Sequence, residues 1–428
     1  MTNTIKYYLF SILLFVPVSR INCQQQDLSL SDAINFAMEK NYGIVISRLS
    51  SEVASINNNW GTAGRYPTIS FSTTSSNSAD LNKGETRTNR IYSDLGLDWT
   101  IFNGFAVNIT KARLEQLEEL SKGNLAVVVE STIEDVVLAY YQVLLQEETL
   151  NLLERVMKLS EDRYDYEQKR YDLGGSARYN LLLSQNTYLN DKGAYLNQEV
   201  LLKTSIRNLN FLMGVDSITW NFTEQFEADS TEYMLGALLQ KMLGNNQTLQ
   251  NQYTNLLLSQ KEIELKKAVM YPSLGLSTGM DNTYLNTSVS SSGSTLSAYG
   301  NLSLTYNIFA GGNRKRAIEI AKIDEQISQT EIDEMKHSLT NQLLNLFDTY
   351  NVRITLLQVA NESLAAAELN LQLAGDKYKT GAINSFNYRD IQVSYLNTAL
   401  QRLQAIYNLI DSHTALTRIT GGFVNPVE

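Results

Sequence analysis

The sequence predicts a mainly helical protein with a smaller, membrane-type β portion, built as a duplicated half-molecule. Three observations carry that expectation. Short motifs recur at an almost constant spacing, each half contains one region whose hydrophobic period is two, and long stretches contain neither proline nor a run of turn residues.

The duplication is legible residue by residue. Tyr66-Pro67-Thr68-Ile69-Ser70-Phe71 reappears as Tyr271-Pro272-Ser273-Leu274-Gly275-Leu276, and Ile101-Phe102-Asn103-Gly104 as Ile308-Phe309-Ala310-Gly311. Arg170-Tyr171-Asp172-Leu173-Gly174 matches Lys377-Tyr378-Lys379-Thr380-Gly381, and Gly214 matches Gly421. From Ile101 onward the shift is 207 positions (311 − 104), and before it 205 (271 − 66). Solenoid repeats run about 20–50 residues, so this period marks two similar halves of one body.

The expected layout begins with an export signal over 1–23. A cation near the start precedes the apolar stretch Tyr7 to Val18, which is too short to span a bilayer, and the polar Gln24-Gln25-Gln26 follows. Cys23 is either removed with the signal or is a lipidated N-terminus. The first repeat then occupies 24–214, an inter-repeat segment 215–232, the second repeat 233–422 and a tail 423–428. No later segment is apolar enough for a membrane helix, so any membrane entry must be made by strands.

Within each repeat a first helix (31–64; Leu235 to Met270) leads to a strand pair, about 67–102 and 272–309. In the first pair Ile91, Ser93, Leu95, Leu97, Trp99 and Ile101 share one face and Tyr92, Asp94, Gly96, Asp98 and Thr100 the other. Such alternation over about ten residues suits a tilted membrane strand, although a soluble antiparallel sheet has the same pattern. Polar loops are expected at 77–90 and 282–294. Trp99 and Phe102, and Tyr306 and Phe309, gather at corresponding strand ends, as aromatics do at a membrane interface. Four strands per chain cannot close a barrel in lipid; two copies would supply eight strands and three would supply twelve, the latter wide enough for a lumen.

Each strand pair is followed by a proline-free helix of nearly 70 residues, from Gly104 or Phe105 to Asp172 and from Asn313 to Lys379. At about 1.5 Å per residue each reaches roughly 100 Å, which implies coiled-coil packing. Gly174, Gly175 and Gly381 then turn the chain at hairpin tips near 174–180 and 381–387, and helices return from Tyr179 to Leu212 and from Ser385 to Thr420.

These features, in this order and occurring twice, resemble the TolC-type outer-membrane efflux proteins. The motifs are Tyr-Pro before the first strand, Ile-Phe-x-Gly before the long helix and Tyr-x-x-Gly at the tip, and the likeness spans about 28–422. It implies a homotrimer with a shared 12-stranded barrel in the outer membrane of a Gram-negative bacterium and a helical tunnel through the periplasm. It also implies a periplasmic adaptor and an inner-membrane pump of RND or ABC type as partners. The function it implies is a passive exit duct for efflux or type I secretion. A periplasmic coiled-coil adaptor or scaffold is the alternative, though it leaves the strand pairs unexplained.

The resemblance places a gate at the tips. Its two acidic positions fall on Asn387 and Asp390, the position paired across the coils falls on Asn180, and an arginine of the family is replaced by Ile383. Asp390, repeated by threefold symmetry, is the expected cation-selective constriction. Hydrogen bonds among Asn180, Tyr378 and Asn387 are the expected closure, and Gly174, Gly175 and Gly381 shape the adaptor-contact surface.

No enzyme motif is present: His337 and His413 stand alone, and no nucleophile elbow, H-E-x-x-H or phosphate loop occurs. No cofactor or metal is expected. A net charge of −10 argues against nucleic acid as a partner.

Overall fold

A computed structural model describes residues 26–80, 86–216, 219–288 and 290–423. The expected export signal, with Cys23, lies outside them, as does the tail beyond 423. The first repeat comprises β1 (Gln26–Leu28), α1 (Leu30–Lys40), α2 (Tyr42–Asn57), β2 (Thr68–Asp80), β3 (Thr86–Asn103), α3 (Ala106–Asp172) and α4 (Arg178–Met213). After β4 (Trp220–Phe222) the second comprises α5 (Leu235–Asn245), α6 (Gln247–Ala268), β5 (Ser273–Thr287), β6 (Ser290–Thr305), α7 (Asn313–Lys379) and α8 (Ser385–Ile419). The long helices α3 and α7 each contain 67 residues. No described helix is long and apolar enough to cross a membrane.

The helix expected over 31–64 is broken at Asn41, and that expected from Leu235 at Asn246. Both breaks are built alike. The Asn41 side chain accepts hydrogen bonds from the Gly43 and Ile44 amides and donates to the Leu212 carbonyl at 2.8 Å. The Asn246 side chain accepts from the Leu249 amide and donates to the Ile419 carbonyl at 3.0 Å. Each asparagine thus caps one helix while satisfying a carbonyl in the last turn of the returning helix. Gly214 and Gly421, both with φ near +66°, end those returning helices hard against the Lys40 and Asn245 carbonyls. A Cβ on either would overlap that carbonyl, so each repeat needs a glycine there.

Around each capped break lies an apolar core. Ala33, Ala37, Val136, Tyr140, Leu209, Met213 and Trp220 form the first, and Leu238, Met242, Leu249, Ile332, Leu343, Leu409 and Leu416 the second. The short parallel pair β1–β4 closes the first core, and the Tyr140 hydroxyl donates to the Leu28 carbonyl at 2.9 Å.

The four long strands form one antiparallel sheet in the order β2-β3-β5-β6. The two repeats therefore join through β3 and β5. The strands are longer than the alternation implied, at 13, 18, 15 and 16 residues. The segments expected to be loops, 77–90 and 282–294, are largely ladder: Asn77 pairs with Asn89, and Tyr284 with Ser294. Ser, Thr and Asn end the apolar stripe without ending the backbone hydrogen bonds, so a hydrophobic pattern underestimates such a strand. At the other end β6 stops at Thr305, short of the expected Ile308. Thr305 pairs with Ser273, the first residue of β5, and beyond it the chain offers no further partner.

The helices follow the same lateral order as the strands. In the half nearer the sheet, α2 packs on α3, α3 on α6 and α6 on α7. In the half nearer the tips, α4 packs on α3, α3 on α8 and α8 on α7.

Candidate functional site at the helical tips and the strand sheet

Both hairpin turns have the same local chemistry. Gly174 and Gly381 have φ of +75° and +76°, and their amides donate to the Tyr171 and Tyr378 carbonyls. The next amides, of Gly175 and Ala382, reach the Arg170 and Lys377 carbonyls. Left-handed glycines here stop the helices and satisfy their last carbonyls. Just beyond the turns Tyr179 and Phe386, equivalent at the 207-residue shift, are both exposed, as is Leu173. The sequence reading overlooked this aromatic pair, although the repeat alignment contains it.

Above the tips α3 and α8 meet along a heptad seam. Its upper part is apolar: Leu145, Leu152 and Val156 pack against Tyr395, Ala399 and Leu403. The lower part is not. Ser160, Arg163 and Glu167 continue the stripe on α3, and Ser385, Tyr388 and Gln392 on α8. The change comes where Arg155 donates to the Tyr395 hydroxyl at 3.1 Å. Polar residues at seam positions weaken a coiled coil while fixing its register. The part of the seam nearest the tips is therefore the part that separates most easily.

At the bottom of the seam the carboxylate of Glu167, 1% exposed, accepts two hydroxyl hydrogen bonds. One comes from Tyr378 on α7 at 2.6 Å and the other from Ser176 in the first tip at 2.6 Å. Asn180 donates weakly to Ser176 at 3.5 Å. Two expected gate residues, Tyr378 and Asn180, are thus joined through two the sequence reading missed. Burial, followed by the hydrogen bond to Glu167 and its charge, pushes the Tyr378 hydroxyl far above its ordinary pKa, so it remains a donor. Its ring stacks on Tyr388 at 4.9 Å and meets Tyr166 edge-on at 5.5 Å. Ile383 packs against this cluster.

Asn387 and Asp390 stand apart. Both lie on the exposed face of α8, opposite the Ser385–Tyr388–Gln392 stripe. The Asn387 amide caps onto Asn384, and its side chain does not join Asn180 or Tyr378 within one chain. One turn above the Glu167–Tyr378 bond, Arg389 makes a two-pronged pair with Asp191 on α4, both bonds at 2.8 Å. This second tie between the repeats was also missed.

The sheet has two chemically different faces. Ile69 and Phe71 on β2 oppose Leu97 and Leu95, Leu95 opposes Met280, and Leu276 lies between Trp99 and Leu302. A bulge at Ile101 brings Phe102 opposite Leu274, on the face that holds Trp99. The other face carries Asp94 directly across from Asp281, with Tyr299 donating to Asp94 at 3.1 Å. Like charges directly opposite one another are destabilising unless water screens them, so this face is suited to water. Of the expected interface aromatics, Trp99 donates to the Arg65 carbonyl at 2.9 Å and Phe102 packs edge-on against Phe105. Tyr306 and Phe309 lie past the end of β6, and Phe309 is 84% exposed.

Comparison with known proteins agrees with this geometry. A family model described as outer membrane efflux protein matches residues 34–215 and 238–422, once per repeat. A search of curated proteins finds no match. Among solved structures the chain is similar to CusC, at 16% identity over 93% of each chain with a TM-score of 0.77. It is also similar to the Campylobacter jejuni CmeC outer membrane channel, at 14% identity over 93% of this chain and 87% of that one, TM-score 0.73. The open-state MtrE outer membrane channel of Neisseria gonorrhoeae matches at 18% identity over 92% and 89%, TM-score 0.70.

Proposed function

The chain belongs to the outer membrane efflux protein family, whose members are exit ducts of the outer membrane rather than enzymes, and on that premise we propose that three copies close one gated conduit. The observation that carries this reading is a pair of matched open edges. β2 and β6 bound the sheet. Beside them, α2 exposes Tyr42, Ile46, Leu49, Val53 and Ile56 at heptad spacing, and α7 exposes Ile320, Ile323 and Ile327. Nearer the tips α4 exposes Leu182, Leu189 and Leu196, and α7 exposes Val352, Leu356 and Val359.

Open strand edges are not tolerated in hydrocarbon, and unlike edges that complement one another generate a ring. With four strands per chain, three copies supply the roughly 12 that leave a lumen, whereas two supply only a packed barrel. In that ring α7 meets the neighbour's α2 near the membrane and its α4 near the tips. The apolar face of the sheet lies in lipid, Trp99, Phe102, Tyr306 and Phe309 mark its periplasmic interface, and the Asp94–Asp281 face lines water.

The Glu167–Tyr378 and Asp191–Arg389 ties hold the far end shut. Asp390 and Asn387, on the exposed face of α8, ring the axis as the constriction. The glycine turns present Leu173, Tyr179 and Phe386 to a periplasmic adaptor, which couples the duct to an inner-membrane pump of RND or ABC type. Such a partner opens the tip only by binding the open form more tightly than the closed one. The alternative of an adaptor or scaffold leaves the sheet's outward apolar residues without a solvent.

The test is joint measurement of oligomer mass and single-channel conductance on detergent-extracted protein returned to lipid. The expected result is a trimer carrying low resting current. A water-soluble monomer that carries none overturns the conduit.

A further inference from the structure

Asp191 on α4, 8% exposed, is held by both prongs of Arg389. A second arginine lies close by with less to hold. Arg163 on α3 is 3% exposed, and its Nε and Nη2 have no hydrogen-bond partner among the described residues. Burial, followed by the charge of Arg389, pulls the pKa of this guanidinium down, against smaller opposing effects of Tyr378, Asp191 and Tyr388. An unpaired buried guanidinium is among the most costly groups a fold can contain, so a state in which its donors are satisfied has a large energetic advantage.

We propose that Asp191 is an acceptor shared by two arginines, and that opening of the tip transfers it from Arg389 to Arg163. The inference rests on the gated conduit described above and adds positioning residues to it. Arg389 belongs to α8, which must leave α3 and α4 if the polar lower seam is to part. Arg163 and Asp191 belong to the two arms of one hairpin and stay together when α8 departs. A groove of about 690 Å³ between α3, α7 and α8, bordered by Arg163 and Tyr388, leaves the Arg163 side chain room to rotate.

Each state then contains one satisfied pair. In the closed form Asp191 holds Arg389 and Arg163 is left over; in the open form Asp191 holds Arg163 and Arg389 is hydrated. Without the second arginine, opening would strand a half-buried carboxylate. The device is confined to the first hairpin, because the equivalent positions in the second are Asn370 and Thr398.

The experiment is a double-mutant cycle of Arg163→Gln and Asp191→Asn in full-length trimers in lipid, read as open fraction from single-channel recording. Oligomer mass is checked for every variant. Arg163→Gln is expected to lower the open fraction roughly tenfold in the parent but no more than about twofold once Asp191→Asn has removed the acceptor. Arg163→Lys, which keeps the charge, should recover much of the loss. Equal effects in both backgrounds would mark Arg163 as a poorly packed charge and overturn the exchange, as would no effect in the parent. A variant that fails to assemble while Arg163→Lys assembles and conducts as the parent supports the exchange. If Arg163→Lys also fails to assemble, the role is structural and the proposal falls. Parent trimers that never conduct overturn the conduit itself, whereas conducting trimers without the coupling overturn only the exchange.

Discussion

The hydroxyl of Tyr378, near the end of α7, lies 2.6 Å from the buried carboxylate of Glu167 on α3. One hydrogen bond thereby ties the second repeat to the first beside both tips. Tyr378→Phe keeps the ring stack on Tyr388 and removes only the donor. A hydrogen bond to a charged group contributes about 1.5–3 kcal/mol, so the resting open fraction should rise about tenfold or more. Glu167→Gln should act in the same direction, and the double variant should fall short of the product of the two. Unchanged conductance in Tyr378→Phe trimers would remove this bond from the gate.

The capping asparagines make a test that the duplication controls internally. Asn41→Ala and Asn246→Ala each delete a helix cap and a bond to the returning helix. Each should cost about 1–3 kcal/mol, seen as a lower midpoint of thermal unfolding in detergent. The two losses should be similar, because Leu212 and Ile419 are equivalent acceptors. A large loss in one repeat alone would show that the symmetry does not extend to energetics.

Glu130, on α3 and 6% exposed, has its carboxyl pushed up to about 7 by burial, against a smaller opposing pull from Arg418. Arg418 is itself engaged by Glu134 at 2.6 Å. The folded value lies above the unfolded one, so the native state binds the extra proton between them. The contribution of Glu130 to stability is therefore fully present below about pH 4.5 and is lost as the pH rises through about 7, a decline of at most about 3 kcal/mol. Glu130→Gln should abolish that decline: its unfolding midpoint should match the parent near pH 5 and exceed it at pH 8. Parallel pH profiles for the two proteins would refute the assignment.

Asp390 on the exposed face of α8 is the expected source of cation preference at the constriction. Asp390→Ala should shift the reversal potential in a salt gradient toward zero while leaving trimer mass unchanged. Asp94→Asn with Asp281→Asn tests the barrel's wet face as the competing source. If the double substitution removes the preference and Asp390→Ala does not, selectivity resides in the barrel.

The two architectures, long helix and paired strand, could be read directly from period and proline content, because those signals are local. Repetition at 207 residues carried the symmetry, and with it the tip glycines, whereas Tyr378 and Asn180 were marked as gate residues by the family resemblance. The strand lengths were misjudged at Asn77–Asn89 and Tyr284–Ser294, where the ladder outlasts the apolar stripe. Glu167, Arg163, Asp191 and Arg389 gave no such warning. Their partners lie across the fold, 211 residues apart for Tyr378 and Glu167 and 198 for Arg389 and Asp191. The repeat alignment hides them too, since Glu167 corresponds to Ala374 and Arg389 to Leu182. A charged side chain on a long helix looks solvated until packing shows which face it occupies. Removal from water is what turns it into a lock, and that follows from how α8 lies against α3 and α4, a relationship no local pattern encodes.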